Sequence, residues 1–186
     1  MRMNGGGIAG LGSRVFAGII FDVYHRQVEM PAGGTIQYES IACPDAVRVY
    51  PITAERRLAM IDEWRPETGS RVLRVVAGRI EADEEPLEAA ARELREELGY
   101  RAGRLEVFAT STPMLKVRHV VHHVLAQDLR QGPAEAEETE DVLERDVAVE
   151  ELEGLVWQGA IREDGIALNL LRLRRRLEEG AVDGTL

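Results

Sequence analysis

Between Gly78 and Tyr100 the chain reads Gly-Arg-Ile-Glu-Ala-Asp-Glu-Glu-Pro-Leu-Glu-Ala-Ala-Ala-Arg-Glu-Leu-Arg-Glu-Glu-Leu-Gly-Tyr. This stretch limits the fold more tightly than any other. Pro86 suits a first helical turn, where its missing N–H has no intrahelical partner to lose. Leu87, Ala91, Leu94 and Leu98 recur at i, i+4, i+7 and i+11, which predicts one apolar stripe. Gly99 suits the position after the last turn, where positive φ is wanted. Local rules therefore predict a helix over residues 86–98.

The polar side of that helix carries the chemistry. Glu93 and Glu97 are i, i+4 neighbours, and Glu93 and Glu96 are i, i+3 neighbours. Like charges at these spacings cost a solvated helix roughly 0.2–0.5 kcal/mol per pair. Partly desolvated, two carboxylates about 5 Å apart repel by about 3 kcal/mol at an effective dielectric near 20. Arg92 and Arg95 offset part of this, and a divalent cation would offset more. Mg²⁺ prefers oxygen ligands, with few carboxylates, several waters and substrate phosphates. The competing reading is a solvated acidic helix face, which most charge runs are.

The spacing decides between them. Gly78, Glu84, Arg92, Glu93, Leu94, Glu96, Glu97, Gly99 and Tyr100 together resemble the Nudix box. Its pattern is Gly, five residues, Glu, seven residues, then Arg-Glu-apolar-x-Glu-Glu-x-Gly-apolar. Only Tyr100 departs, since an aliphatic residue is usual there. Nine positions with fixed gaps are far more specific than a lone glycine-rich loop.

Composition sets outer bounds. At 186 residues the chain has room for one ordinary domain with a real core. No run is long enough to span a bilayer, and residues 1–13, rich in glycine, read as a mobile tail rather than a signal peptide. Cys43 is the only cysteine, so no internal disulfide or cysteine metal site is expected, and a reducing cytoplasm fits. The net charge is −10; residues 81–97 contribute −6 and residues 135–151 contribute −8, which leaves +4 elsewhere. Two acidic blocks without a basic field argue against nucleic-acid binding. An acidic site can still receive a polyanion through bound cations. The basic run Arg172, Arg174, Arg175 and Arg176 reads as a solvated helix face.

The front third reads as strands: residues 14–24, then a hairpin of 27–30 and 35–41 about Pro31-Ala32-Gly33-Gly34. Residues 46–53 and 57–64 read as a second strand pair about Ala54-Glu55-Arg56, and 71–76 as a strand leading into the box. Strands are expected at 104–110, 119–126 and 142–147, an acidic loop at 133–141, and helices at 149–158 and 166–178. The expected division is a tail at 1–13, N-terminal strands at 14–44, a core at 45–180 and a tail at 181–186. A central mixed sheet with helices on both faces is the natural α/β packing, in agreement with the α/β/α sandwich, preceded by an N-terminal antiparallel sheet, that the resemblance implies.

The wider sequence, from about Ser13 to Leu177, looks most like the ADP-ribose pyrophosphatase branch of that family. It shares Met30-Pro31-Ala32-Gly33-Gly34 in a hairpin, Glu63-Trp64-Arg65-Pro66 at a strand end, and Val75-Val76-Ala77-Gly78-Arg79-Ile80 into the box. Three departures stand out. Arg74 occupies a position that often holds Glu, Pro113-Met114-Leu115-Lys116 falls near an expected Pro-Gly pair, and Asp83 replaces the usual Gly before Glu84.

The resemblance implies an Mg²⁺- or Mn²⁺-dependent hydrolase of the pyrophosphate bond in ADP-ribose or a related nucleoside diphosphate sugar. It implies Glu93 and Glu97 as central metal ligands, Glu96 as a further one, and the Ala77 carbonyl completing the set. Arg92 would steady a box carboxylate, and Glu84 would brace the loop. The general base would lie in the second acidic block, at Glu140 or next at Glu138, against a competing reading as a solvated loop. Arg65 and Trp64 are candidates for substrate contact, although a surface arginine and a packing aromatic are the plainer readings. His119, His122 and His123 form no metal motif; His119 and His123 share a face if the run is a strand. The branch also implies a homodimer that exchanges its N-terminal sheet. The alternatives are a Nudix hydrolase of a GDP-sugar, dinucleotide or coenzyme A, and a ligand-sensing regulator, for which the intact box and the absence of a DNA-binding module speak poorly.

Overall fold

A computed structural model describes residues 10–133 and 141–183. The chain divides into two compact units. One takes in the residues up to Asp45 together with Thr112–Val120; the other takes in Ala46–Ser111 and the chain from Val121 onward.

The first unit is a four-stranded sheet. β1 (Ser13–Ala17), β2 (Asp22–Glu29) and β3 (Thr35–Ala42) run antiparallel in order, and β9 (Val117–Arg118) joins β3 in parallel. The sheet is thus neither wholly antiparallel nor wholly N-terminal. Residues 14–24, expected as one strand, break at a tight turn that the Gly18 N–H closes on the Phe21 carbonyl at 3.0 Å. The Pro31–Gly34 turn is where expected, closed by Gly33 N–H to the Met30 carbonyl at 2.8 Å.

The second unit holds two sheets. β4 (Ala46–Pro51), β7 (Val76–Arg79), β8 (Tyr100–Ser111) and β10 (Val121–Gln131) form a mixed sheet in the order β7-β4-β10-β8, with β4 and β10 parallel. β5 (Arg57–Arg65), β6 (Ser70–Arg74) and β11 (Val142–Ala148) form an antiparallel sheet in the order β11-β5-β6. The expected pairing of residues 46–53 with 57–64 is replaced. β4 and β5 enter different sheets and meet only in one bridge, Ile52 with Leu58. The 71–76 run likewise splits at Val75: β6 ends at Arg74 in one sheet and β7 starts at Val76 in the other.

Helix α1 (Pro86–Leu98) packs on a core of Val47, Val49, Ala59, Ile61, Val76, Val124 and Ala126. Its buried stripe is Ala90, Leu94 and Leu98, with Ala89 beside it. Leu87 and Ala91, placed on the stripe from sequence, face outward. The small side chains of Ala89 and Ala90 let the helix approach the sheet more closely than leucines would. The opposite core gathers Tyr50, Leu58, Met60, Val75 and Leu125 against α2 (Leu152–Trp157) and α3 (Asp164–Asp183), whose Ile166, Leu170, Leu173 and Leu177 are buried. A 3-10 turn (Val149–Glu151) precedes α2, so the helix expected at 149–158 is shorter, and α3 runs past the expected 178. The Arg172–Arg176 run pairs along the helix surface, Arg174 with Glu178 and Arg175 with Glu179 at i, i+4, and Arg176 with Glu106. Helices on two faces of mixed strands make this the α/β fold expected. Among the described residues no helix is long and apolar enough to cross a membrane.

Candidate active site

The box helix begins at Pro86, with the Glu85 N–H donating to the Glu88 carboxylate at 3.0 Å. It ends at Leu98, and Gly99 takes φ 71°, the left-handed value a C-terminal stop requires. Ala89, Glu93 and Glu97 fall at i, i+4 and i+8, so the line that starts in the core at Ala89 delivers two carboxylates to β7. Glu97 Oε1 lies 3.5 Å from the Ala77 amide nitrogen. The Glu93 carboxylate fills the space above Gly78 that a Cβ would take. That is a physical reason for glycine at the first box position.

Arg92 organises the remaining acids. Its guanidinium donates to both oxygens of Glu84 at 2.9 and 3.0 Å, to Glu93 at 2.6 Å, to Glu96 at 3.1 Å, and to the Arg79 carbonyl at 2.9 Å. Its hydrogen bond to Glu84, opposed by burial and helped by Glu93 and Glu96, raises its pKa above the ordinary arginine value. The same bond, with the Glu81 N–H, holds the Glu84 carboxyl below the usual carboxylate range. Glu84 accepts from Glu81 N–H at 3.0 Å and so braces the loop between β7 and α1.

The expected convergence of Glu93, Glu96 and Glu97 is altered by this arginine. Glu96 turns to Arg92 and Arg95, and among the described residues no three acidic, imidazole or thiol groups form a ready metal cage. A guanidinium relieves repulsion among neighbouring carboxylates, so they gather about it. The donor chemistry nonetheless fits a hard divalent cation, because it consists of carboxylate oxygens beside a backbone segment, where Gly78 leaves space for the Glu93 carboxylate.

The two box departures have structural reasons. Asp83 has φ 67°, a left-handed conformation that glycine adopts freely and aspartate tolerates better than most residues. Tyr100 lays its ring against the α1 core and donates its hydroxyl to Glu144 at 2.9 Å. Desolvation and that bond push its pKa up to about 12.

Of the substrate candidates, Arg65 is held by Glu63 at 2.9 Å and Glu67 at 2.7 Å, and Trp64 is 48% exposed. Asp141 accepts from the Trp64 N–H at 3.3 Å and from Arg71, which ties the start of β11 to this strand end. Glu138 and Glu140 lie outside the described residues. The altered loop at Pro113 is closed by Val117 N–H to the Met114 carbonyl at 3.0 Å.

Two clusters were not anticipated from sequence. Glu163 bridges Arg48 at 2.5 Å and Arg74 at 2.6 Å, and Arg74 also reaches Glu63 at 2.5 Å. Burial opposes the charge of Arg74, yet Glu163 and Glu63 hold its pKa above the ordinary value. The members are scattered along the chain; the sequence singles out Arg74 as a departure and Glu63 as part of a strand-end motif, but nothing in it joins them to Arg48 and Glu163. The second cluster surrounds His123, which is fully buried. Asn169 Nδ2 donates to its Nε2 at 3.1 Å, Ser111 Oγ lies 2.9 Å from the same atom, and Nδ1–H faces the Tyr50 hydroxyl at 2.9 Å. Desolvation, then the positive charge of Arg48 and Arg172, pushes the His123 pKa down to about 4. His119 is elsewhere, with Nδ1 on the Pro44 carbonyl.

Residues 44–167, which carry the box helix, its loop and the strand before it, match the model of the NUDIX domain. The chain belongs to the Nudix family and is a pyrophosphohydrolase of the ADP-ribose pyrophosphatase type. It is 31% identical over 170 residues to the ADP-ribose pyrophosphatase of Bacillus subtilis (strain 168), covering 89% of this chain and 92% of that one. It is 32% identical over 119 residues to the methanol dehydrogenase activator of Bacillus methanolicus, covering 62% and 63% of the two chains. Among solved structures it resembles an ADP compounds hydrolase, with a TM-score of 0.77, 27% identity and 94% of each chain covered. Members of this family generally use divalent metal ions.

Proposed function

We propose that this protein is an Mg²⁺- or Mn²⁺-dependent hydrolase of ADP-ribose or a related nucleoside diphosphate sugar. Water adds to one phosphorus of the diphosphate, the bridging oxygen leaves with the other, and a nucleoside monophosphate and a sugar phosphate result. The observation that carries this reading is the delivery of Glu93 and Glu97 by one helix to the Ala77–Gly78 backbone. The near full-length similarity to an ADP-ribose pyrophosphatase supports the substrate class.

In this reading Glu93, Glu97, Glu96 and the Ala77 carbonyl hold the metal. The bound cation supplies charge neutralisation of the diphosphate and a lower pKa for the attacking water. Arg92 orients Glu93 and Glu96 through charge-assisted bonds. Glu140, or else Glu138, takes the proton of the water. Arg65 contacts phosphate or sugar through its planar fork, and Trp64 offers a face for the base.

The reading includes a cytoplasmic homodimer built through the N-terminal strands. It draws support from Phe16, Ile19 and Phe21, exposed large apolar side chains around the β1–β2 turn of the first unit, because clustered exposed apolar side chains mark interaction surfaces. Sedimentation of a dimer is expected, and a monomer at micromolar concentration would remove that part.

The deciding experiment is a substrate panel with product phosphate as the single readout: ADP-ribose, other ADP-sugars, GDP-sugars, dinucleotides and coenzyme A. ADP-ribose is expected to lead in kcat/KM, with activity abolished by chelation and restored by Mg²⁺ or Mn²⁺. Preference for another compound moves the substrate and keeps the class. Full turnover after exhaustive chelation refutes the metal reading.

A further inference from the structure

At Val75 the chain passes from one sheet to the other, with β6 ending at Arg74 and β7 beginning at Val76. The passage lies just ahead of Ala77 and Gly78, where Glu93 and Glu97 arrive. Val75, fully buried, is the single residue between the two ladders, with Arg74 paired to Ile61 and Val76 to Val49. Glu163 adds a side-chain tie across this junction. One carboxylate oxygen takes Arg74, the last residue of β6, at 2.6 Å. The other takes Arg48 at 2.5 Å, and Arg48 is the β4 residue paired directly with Ala77 in the antiparallel ladder.

The Glu163 backbone is itself well anchored. The Glu163 carbonyl accepts from the amides of Ile166 and Ala167, each at 2.9 Å, in the first turn of α3. Ile166, Leu170 and Leu173 then bury that helix in the core. Gly165 leaves the space that Arg48 needs, since a Cβ there would lie 2.7 Å from its Nη1. Only 14% of the Arg48 side chain and 16% of the Arg74 side chain is exposed, so water screens these pairs weakly.

We infer that Glu163 is a positioning residue for the Ala77–Gly78 segment: by bridging Arg48 and Arg74 it locks the backbone at the sheet change, and so sets where the Ala77 carbonyl and the Glu93 carboxylate stand. This rests on the proposed role of those groups as metal donors. Groups that orient metal ligands commonly matter to metal affinity by about 10–100-fold, so Glu163 reaches the reaction through the backbone rather than by touching substrate.

The test uses Glu163→Gln in the full chain, with Arg48→Gln as a milder partner that cuts one arm and leaves Glu163 on Arg74. Two readouts are taken. The first is Mn²⁺ affinity from the free-ion EPR signal. The second is amide hydrogen exchange of the metal-free protein over residues 76–79, compared with residues 166–177 of α3. Glu163→Gln is expected to weaken Mn²⁺ binding about tenfold and to speed exchange in 76–79 while α3 stays protected. Arg48→Gln should shift both in the same direction by a smaller factor. Folded variants with wild-type affinity and wild-type exchange in 76–79 overturn the inference. If Glu163→Gln does not fold, Arg48→Gln decides alone by the same two measurements. A wild-type protein that binds no Mn²⁺ sinks the metal reading, whereas the exchange data still judge the role of Glu163.

Discussion

His123 offers a stability prediction that does not depend on the active site. Its imidazole is fully buried, and Nε2 already accepts from Asn169. A proton added to Nε2 would face an N–H donor and be stranded among apolar side chains and two arginines. The folded state therefore keeps this ring neutral to about pH 4, against an ordinary 6.5. An unfolded chain takes up that proton as the pH falls below 6.5, whereas the folded chain does not. The contribution is complete above the unfolded value, shrinks as pH drops from about 6.5 to about 4, and levels off below. At about 1.4 kcal/mol per pH unit the loss comes to about 3 kcal/mol. Urea unfolding at several pH values across this window measures it. Carboxylates also lose stability in acid, so the wild type is compared with His123→Gln, and the difference in slope isolates the imidazole. A wild-type excess of about 3 kcal/mol is expected. A His123 NMR titration midpoint near the ordinary value, or equal slopes in the two proteins, would refute the argument.

Gly78→Ala should abolish most turnover with little change in melting temperature, because the new Cβ meets the end of the flexible Glu93 side chain rather than backbone; a fully active alanine variant contradicts that cradle. Glu93→Gln and Glu97→Gln should each lower kcat by about 10²-fold or more while circular dichroism is unchanged, since each removes a charged donor; near-normal turnover in either removes its assignment. Leu170→Ala, at a fully buried position, should cost about 2–5 kcal/mol in chemical denaturation, and a loss below 1 kcal/mol would mean that α3 packs more loosely than described. Asp83→Gly should alter stability by less than about 1 kcal/mol, as relief of the left-handed conformation is set against the freedom of glycine when unfolded; a larger loss would show that the Asp83 side chain does more than tolerate its φ.

The box helix was legible to the residue, because its start, stop and stripe are local signals. Even there the buried line was displaced, with Ala89 and Ala90 replacing Leu87 and Ala91. Helical spacing names candidate faces, and which one is buried depends on how near the sheet can come. Strand positions were legible too, but partners were not: Ala54-Glu55-Arg56 looked like a hairpin turn, yet β4 and β5 belong to different sheets. Pairing is decided by long-range burial, which alternation within a strand does not encode. The same limit hid Glu163, whose partner Arg48 is 115 residues away. Arg92 shows a different limit. The resemblance implies that it steadies a box carboxylate, but how many carboxylates one guanidinium can draw together depends on side-chain reach that sequence does not display.

The joint between α1 and β8 has a bearing on dynamics. One residue, Gly99, separates them, and its carbonyl accepts the Gly132 N–H at 2.8 Å while Tyr100 is already paired with Gln131. The last turn of the helix, which carries Glu97, thus has no slack. To fray it must peel away the first rung of a twelve-residue strand, so end-melting that is ordinarily cheap becomes a cooperative opening shared with the sheet.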